Sequence, residues 1–203
     1  MSSLTILRRR IRAVETIRKT THAMRLTSIS THTRLQKQKK LVIHYKNALA
    51  ELLSHLKHYI GSEAHIISPK AHKYLYIIAG SPKGLCGTFN TQLIQFLQKN
   101  APEVFQASEN IDVIVLGSKI AEQVRNGGVR ITRKYDNFNV TTFVELTHEL
   151  ANTIIDSSTY KEAYLFANYP RSFFLQKPEK HQLIPFNPGI SHDTTSSWKA
   201  DLN

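Results

Sequence analysis

A chain of 203 residues, 41% hydrophobic and with a formal net charge of +12, is long enough for one folded domain plus an extension and too apolar to be disordered throughout. Its one cysteine, Cys86, excludes an internal disulfide and fits a reducing compartment. No apolar run approaches the roughly 18 residues that span a membrane, and no signal-peptide core follows the basic start.

The first sixty residues organise the rest. No proline or glycine occurs from Ser3 to Tyr59, which predicts one uninterrupted helix with Gly61 at its C-terminal cap. Such a helix is about 80 Å long, against about 11–12 residues for an ordinary globular helix. Its pattern is a heptad. One row is Leu7, Val14, Thr21, Ser28, Leu35, Val42, Leu49 and Leu56; the other is Arg10, Ile17, Met24, Thr31, Gln38, Tyr45, Leu52 and Tyr59. Eleven of the sixteen are apolar, which predicts a coiled-coil seam. The alternative is an amphipathic helix lying on its own domain, but an ordinary domain cannot cover so long a seam. At mid-seam, Thr21, Ser28 and Thr31 are small and polar. They permit close approach or movement, or are simply a local weakness.

The charge lies in the same helix. Arg8, Arg9, Arg10, Arg12, Arg18, Lys19, Arg25, Arg34, Lys37, Lys39, Lys40, Lys46 and Lys57 face only Glu15 and Glu51 in residues 1–60, a net +11 of the total +12. Such a helix calls for nucleic acid, anionic lipid or acidic protein loops. The Arg-rich start is also similar to an organellar transit peptide, yet the heptad begins inside it and runs on without a break.

Residues 61–72 read as a polar linker with Pro69. Lys73–Ala79 reads as a strand, Gly80–Gly87 as a loop, and Thr88–Asn100 as a helix with Phe89, Leu93, Phe96 and Leu97 on one face. Ile111–Leu116 is a second strand ended by Gly117. Ser118–Arg125 is a short helix stopped by Gly127-Gly128, and Val129–Lys134 is a weaker third strand. Val140–Ser157 is a helix with Phe143, Leu146, Leu150, Ile154 and Ile155 as its buried stripe. Glu162–Ala167 is a strand, and Phe173–Gln176 and Gln182–Phe186 are expected to form a hairpin around Lys177-Pro178. Alternating strands and helices make residues 73–186 a Rossmann-like α/β domain with a mainly parallel sheet. Residues 187–203, with Trp198, are expected to be disordered. The eleven apolar seam residues amount to on the order of 10 kcal/mol even when partly buried. No later helix matches the seam in length, so another chain, or a segment missing from this one, is expected to cover it.

Few residues offer chemistry. Gly80–Gly87 lies between a strand and a helix, where phosphates are often held. However, Leu85-Cys86-Gly87 stands where a Walker loop needs Gly-Lys-Ser/Thr, and no G-x-G-x-x-G occurs. The plainer reading is a tight turn. Cys86 reads as a nucleophile near a helix N-terminus or, better, as a buried structural thiol. His55 and His58 are three apart on the long helix. His148-Glu149 opens a zinc-protease pattern that Asn152 breaks. Without a compact cluster these read as surface histidines. No catalytic, cofactor or metal residue is assigned.

Several stretches resemble the gamma subunit, the central stalk, of rotary ATP synthases. Arg9–Val14 and Ile17–Leu26 (IRKTTHAMRL) are similar to the family's opening. Lys83–Thr91 (KGLCGTFNT) is similar to its GLCGGxNT signature. Leu116–Lys119 matches a GxK turn. Phe166–Tyr169, Gln176–Pro178 and Leu183–Pro185 are similar to its YNxF, QxP and LLP region. The resemblance covers residues 4–186 in the right order, although Pro82 and Thr88 depart from the loop pattern.

The resemblance implies a non-catalytic rotor subunit without cofactors, part of a proton-translocating hetero-oligomer. It couples ion flow to ATP synthesis or hydrolysis in a ring of alpha and beta subunits. Arg18, Lys19, Met24 and Arg25 are implied to face acidic loops of the beta subunits. Gly84, Leu85, Cys86, Gly87 and Asn90 are implied to be a structural loop. The α/β domain is implied to hold an epsilon-type subunit and the membrane rotor c-ring, peripheral on the cytoplasmic face of a bacterial inner membrane or its organellar equivalent. The family continues with a second long helix where this chain ends in a polar tail, so a form lacking that helix, with impaired torque, is expected. Two other classes stand beside this reading. A nucleic-acid-binding protein would use the basic helix, and its binding would weaken steeply with salt. An enzyme on the α/β domain would need an acid, base or nucleophile set that the sequence does not display.

Overall fold

A computed structural model describes residues 3–60, 71–106, 108–138, 142–156, 159–172 and 175–185. Most of the expected linker (61–70, with Gly61 and Pro69) and the whole expected tail with Trp198 lie outside the described residues. The chain divides into two compact units, Met1–Tyr59 and Ile60–Asn203.

The first unit is α1, Ser3–Ile60. Its 58 residues make a rod about 87 Å long. With no helix breaker inside it, nothing interrupts the hydrogen-bond ladder. Nine of the eleven apolar heptad residues have described side chains, from Leu7 to Leu52, and each is 40–71% exposed.

The second unit is built on five strands: β1 (Lys73–Ala79), β2 (Ile111–Leu116), β3 (Arg133–Tyr135), β4 (Tyr160–Pro170) and β5 (Gln176–Ile184). Their order is β3-β2-β1-β4-β5. All neighbours are parallel except the β4–β5 pair. The helices are α2 (Phe89–Asn100), α3 (Ser118–Asn126) and α4 (Phe143–Asp156), with a 3₁₀ turn at Pro102–Phe105.

β1 is central, and both of its faces are covered. Leu75–Ile78 is therefore a continuous apolar run, as expected of a buried parallel strand. Alternate residues still go to opposite layers. Tyr76, Ile78, Val113, Val115 and Phe166 pack with Leu93 and Leu97 of α2 and Ile120, Ala121 and Val124 of α3. Leu75, Ile77, Ile114, Leu116 and Ala163 pack with Leu146 and Leu150 of α4. Leu93 and Leu97 are fully buried, worth about 1.5–3 kcal/mol each.

The expected fold class, a long helix followed by a mainly parallel α/β domain, is what the structure has. The strands at Lys73–Ala79 and Ile111–Leu116 have the expected bounds. Other expectations are corrected. The third strand is only Arg133–Tyr135, because Val129 turns into the core before the strand begins. β4 is longer than Glu162–Ala167 at both ends. Lys177-Pro178 is not a turn. Pro178 lies inside β5 opposite Asn168, and β5 is an edge strand, which tolerates the missing N–H. The hairpin is instead β4–β5, closed by the Arg171 and Ser172 amides donating to the Leu175 carbonyl at 2.8 and 3.1 Å. Phe173 and Phe186 lie outside the described residues. On α4, Phe143 and Ile155 are exposed, not buried, and Ile154 is half-buried.

Candidate functional site

From β1 the chain steps to β2 and β3 on one side, then crosses to β4 on the other. The order reverses at the carboxyl ends of β1 and β4, where open α/β sheets place their ligands. Here the loop between β1 and α2 fills that place. Ser81 donates its N–H to Asn90 Oδ1 at 2.8 Å, and Asn90 Nδ2 donates to the Ser81 carbonyl at 3.4 Å. Asn90 is 3% exposed. Ser118 Oγ donates to the Pro82 carbonyl at 2.8 Å. From β4, Asn168 Nδ2 donates to the Phe89 carbonyl at 2.8 Å. Among the described residues, Asn168 Oδ1 is buried without a hydrogen-bond partner.

Two glycines let the backbones close up. A Cβ on Gly80 would lie 2.4–2.7 Å from the Ile120 side chain. Gly117 has φ +112, and a Cβ there would lie 2.7 Å from the Gly80 carbonyl oxygen. These glycines thus seat backbone and side chain, where a phosphate loop would need open space. At the base of the loop the amides are committed inside the protein. Ser81 N–H goes to Asn90, Gly117 N–H to the Tyr135 carbonyl at 2.7 Å, and Ser118 N–H to the Asp136 carbonyl at 3.0 Å. This geometry favours the tight-turn reading over nucleotide binding.

The tip of the loop differs from its base. Leu85 is 94% exposed and has φ +60. Gly84 and Gly87 face open space, and Cys86 is half-buried, its carbonyl accepting the Phe89 N–H at 3.2 Å. The clamping roles of Ser81, Ser118 and Asn168 were not readable from the sequence. Ser118 and Asn168 are small polar residues whose partners are backbone groups 36 and 79 residues away, and Ser81 is held through its own backbone by the Asn90 side chain.

The second surface is on α1. Arg18, Lys19, Met24 and Arg25 are all exposed. The neighbouring threonines turn their hydroxyls inward. Thr16, Thr20, Thr21 and Thr27 donate to the carbonyls of Arg12, Thr16, Ile17 and Ala23 at 2.9, 3.0, 2.6 and 3.0 Å. A β-branched hydroxyl satisfied in this way leaves its methyl outermost. The mid-seam Thr21 is therefore less polar in surface than its residue type suggests.

Tyrosines and carboxylates tie the domain elsewhere. Tyr76 OH donates to Glu103 Oε1 at 2.6 Å, and Tyr164 OH donates to Glu162. Lys180 Nζ lies 3.9 Å from the Tyr164 ring centroid. Tyr160 OH and Lys73 Nζ both reach Asp112 Oδ2, at 3.1 and 3.3 Å. Burial, and then the hydrogen bond to Glu162, push the Tyr164 hydroxyl up to about 12. Burial, and then the Asp112 charge, do the same for Tyr160, also to about 12. Glu149, beside His148, accepts hydrogen bonds from Arg133 and Tyr135, so it is engaged as an ion-pair partner. His55 is exposed; the His58 side chain is outside the described residues. No group of three or more His, Cys, Asp or Glu able to hold a metal occurs among the described residues.

A family model described as ATP synthase matches residues 3–202. A curated relative from Ehrlichia chaffeensis, named ATP synthase gamma chain, is 27% identical over 194 residues, covering 94% of this chain and 68% of its own. One of the same name from Syntrophus aciditrophicus is 25% identical, covering 95% and 67%. Among solved structures, the central stalk and c-ring of the Tetrahymena thermophila mitochondrial ATP synthase matches 70% of this chain and 66% of its own, with 16% identity and a TM-score of 0.47. The chain thus spans about two thirds of the length of the proteins it matches.

Proposed function

The chain belongs to the ATP synthase gamma-chain family, and we propose that it acts as the central-stalk rotor subunit of a proton-translocating ATP synthase. The observation that carries this reading is α1, a 58-residue rod holding almost all of the net charge, inside a family match that runs from residue 3 to 202. In this role the chain makes and breaks no bond in ATP. It is an asymmetric shaft whose angle biases the nucleotide affinities of surrounding alpha and beta subunits, a coupling between sites through a moving element.

Within that role, Arg18, Lys19, Met24 and Arg25 meet acidic loops of the beta subunits. Gly84, Leu85, Cys86, Gly87 and Asn90 form a structural loop. The division of labour is a shaft over residues 1–60 and an α/β domain over 73–186. The α/β domain takes the epsilon-type subunit and the membrane c-ring. That places the chain at a membrane surface within a hetero-oligomer, on the cytoplasmic face of a bacterial inner membrane or its organellar equivalent. No described helix is long and apolar enough to cross a membrane.

The test is co-purification of the full chain with alpha and beta subunits of its own cell, followed by the native mass of the complex. A complex containing this 23.2 kDa chain is expected. Recovery of the chain alone, with alpha and beta subunits assembled elsewhere, contradicts the reading.

A further inference from the structure

Residues 20–33 of α1 hold seven serines and threonines: Thr20, Thr21, Thr27, Ser28, Ser30, Thr31 and Thr33. The 14 residues before them, 6–19, hold one, and the 14 after them, 34–47, hold none. Both residue types are weaker helix formers than the Leu, Arg, Lys and Gln that predominate in the flanks. Thr is restricted by its β-branch, and the Ser hydroxyl competes for backbone groups. The structure shows that competition. Thr20, Thr21, Thr27 and Thr33 donate their hydroxyls to the carbonyls of Thr16, Ile17, Ala23 and Ile29 at 3.0, 2.6, 3.0 and 3.0 Å, and Thr21 also reaches the Arg18 carbonyl at 3.1 Å. Each of these carbonyls also serves the N–H four residues on, so its bond is shared, and helices bend where the ladder is disturbed in this way. The seam is weak at the same place. Of its four positions in the segment, Thr21, Met24, Ser28 and Thr31, only Met24 is a large apolar residue, so a helix lying along the seam gains least burial there.

We propose that residues 20–33 are a hinge in α1. The arms on either side stay helical and bend about it, and local opening of the rod begins there. Weak propensity, shared carbonyls and a thin seam act on the same stretch, whereas each flank has none or one of these residues. The hinge rests on α1 alone. Its use, letting the two ends of a shaft lean independently while both are held, rests on the stalk reading above.

The test is made on the full chain in solution. Hydrogen exchange, corrected for intrinsic rates, is expected to run about tenfold faster at the amides of residues 24–37, which donate to the carbonyls of 20–33, than at those of 38–50. The combined variant Thr20→Ala, Thr21→Ala, Thr27→Ala, Ser28→Ala, Ser30→Ala, Thr31→Ala and Thr33→Ala is expected to remove that difference. Gln38→Ala, Lys46→Ala and Asn47→Ala together strengthen the rod outside the segment and are expected to leave the difference in place. As a second readout, spin labels on Arg12→Cys and Lys40→Cys, with Cys86→Ser, sit about 42 Å apart along a straight helix. The parent is expected to show distances extending below that value, and the alanine variant a single narrow peak. Uniform exchange along α1, fast or slow, overturns the hinge, and so does a single narrow peak in the parent. A control that slows residues 24–37 as much as the alanine variant also overturns it, because the softness then belongs to the whole rod. No readout needs alpha or beta subunits, so the hinge stands or falls apart from the stalk reading.

Discussion

Asn90 and Ser81 hold each other twice, through the Ser81 N–H on Asn90 Oδ1 at 2.8 Å and through Asn90 Nδ2 on the Ser81 carbonyl at 3.4 Å. One buried side chain in the first turn of α2 thereby fixes the start of the loop whose tip is the exposed Leu85. Asn90→Ala strands a Ser81 amide, at a cost of about 1–3 kcal/mol. Thermal denaturation is expected to show a lower midpoint, while Leu85→Ala leaves it nearly unchanged because Leu85 is 94% exposed.

Gly80 and Gly117 are expected to tolerate no side chain. Gly117→Ala meets a positive φ and a backbone oxygen at once, and is expected to destabilise by about 2–4 kcal/mol. Gly84→Ala faces open space and is expected to change stability by less than about 0.5 kcal/mol. Equal losses at the two positions would show that the loop base is not packed as described.

Stability is expected to fall in alkali. Tyr160 and Tyr164 each titrate near 12 in the folded chain, against 10.0 for the ordinary group. Between these values the unfolded chain has released protons that the folded chain still holds. Stability therefore decreases as pH rises from about 10 to about 12, and the contribution is complete below 10. Tyr160→Phe and Tyr164→Phe together are expected to flatten that slope in denaturant titrations at stepped pH. An unchanged slope would contradict the tyrosine assignment.

The two units are expected to answer differently to truncation. Leu93→Ala, at a fully buried site, is expected to cost about 2–5 kcal/mol. Leu35→Ala and Val42→Ala, at 43% and 64% exposure, are expected to cost under about 0.5 kcal/mol in the chain by itself. Calorimetry of the three variants measures this directly.

These contrasts show where sequence was a sufficient guide. The long helix was legible because its evidence is an unbroken run without proline or glycine. β1 and β2 were legible because a strand buried on both faces reads as one apolar run. β3 was expected at Val129–Lys134 but its bounds were not legible, since its three residues, Arg133, Lys134 and Tyr135, carry no such run. The last hairpin was misplaced because Pro178 reads as a turn residue until one knows that β5 is an edge. The exposed Phe143 and Ile155 followed the helical period, but period alone does not say how wide a stripe the sheet covers. In the loop, Asn90 was legible through its motif. Its hydrogen bonds, and the parts played by Ser118 and Asn168, depend on contacts 9, 36 and 79 residues apart.

The most direct measurement is rotation. The full chain, assembled with surface-fixed alpha and beta subunits and tagged with a probe on its α/β domain, is watched one molecule at a time as ATP is added. Stepwise turning in one direction, stopped when ATP is withdrawn, is the predicted result. ATP hydrolysis by the assembled ring beneath a probe that never turns would contradict the account.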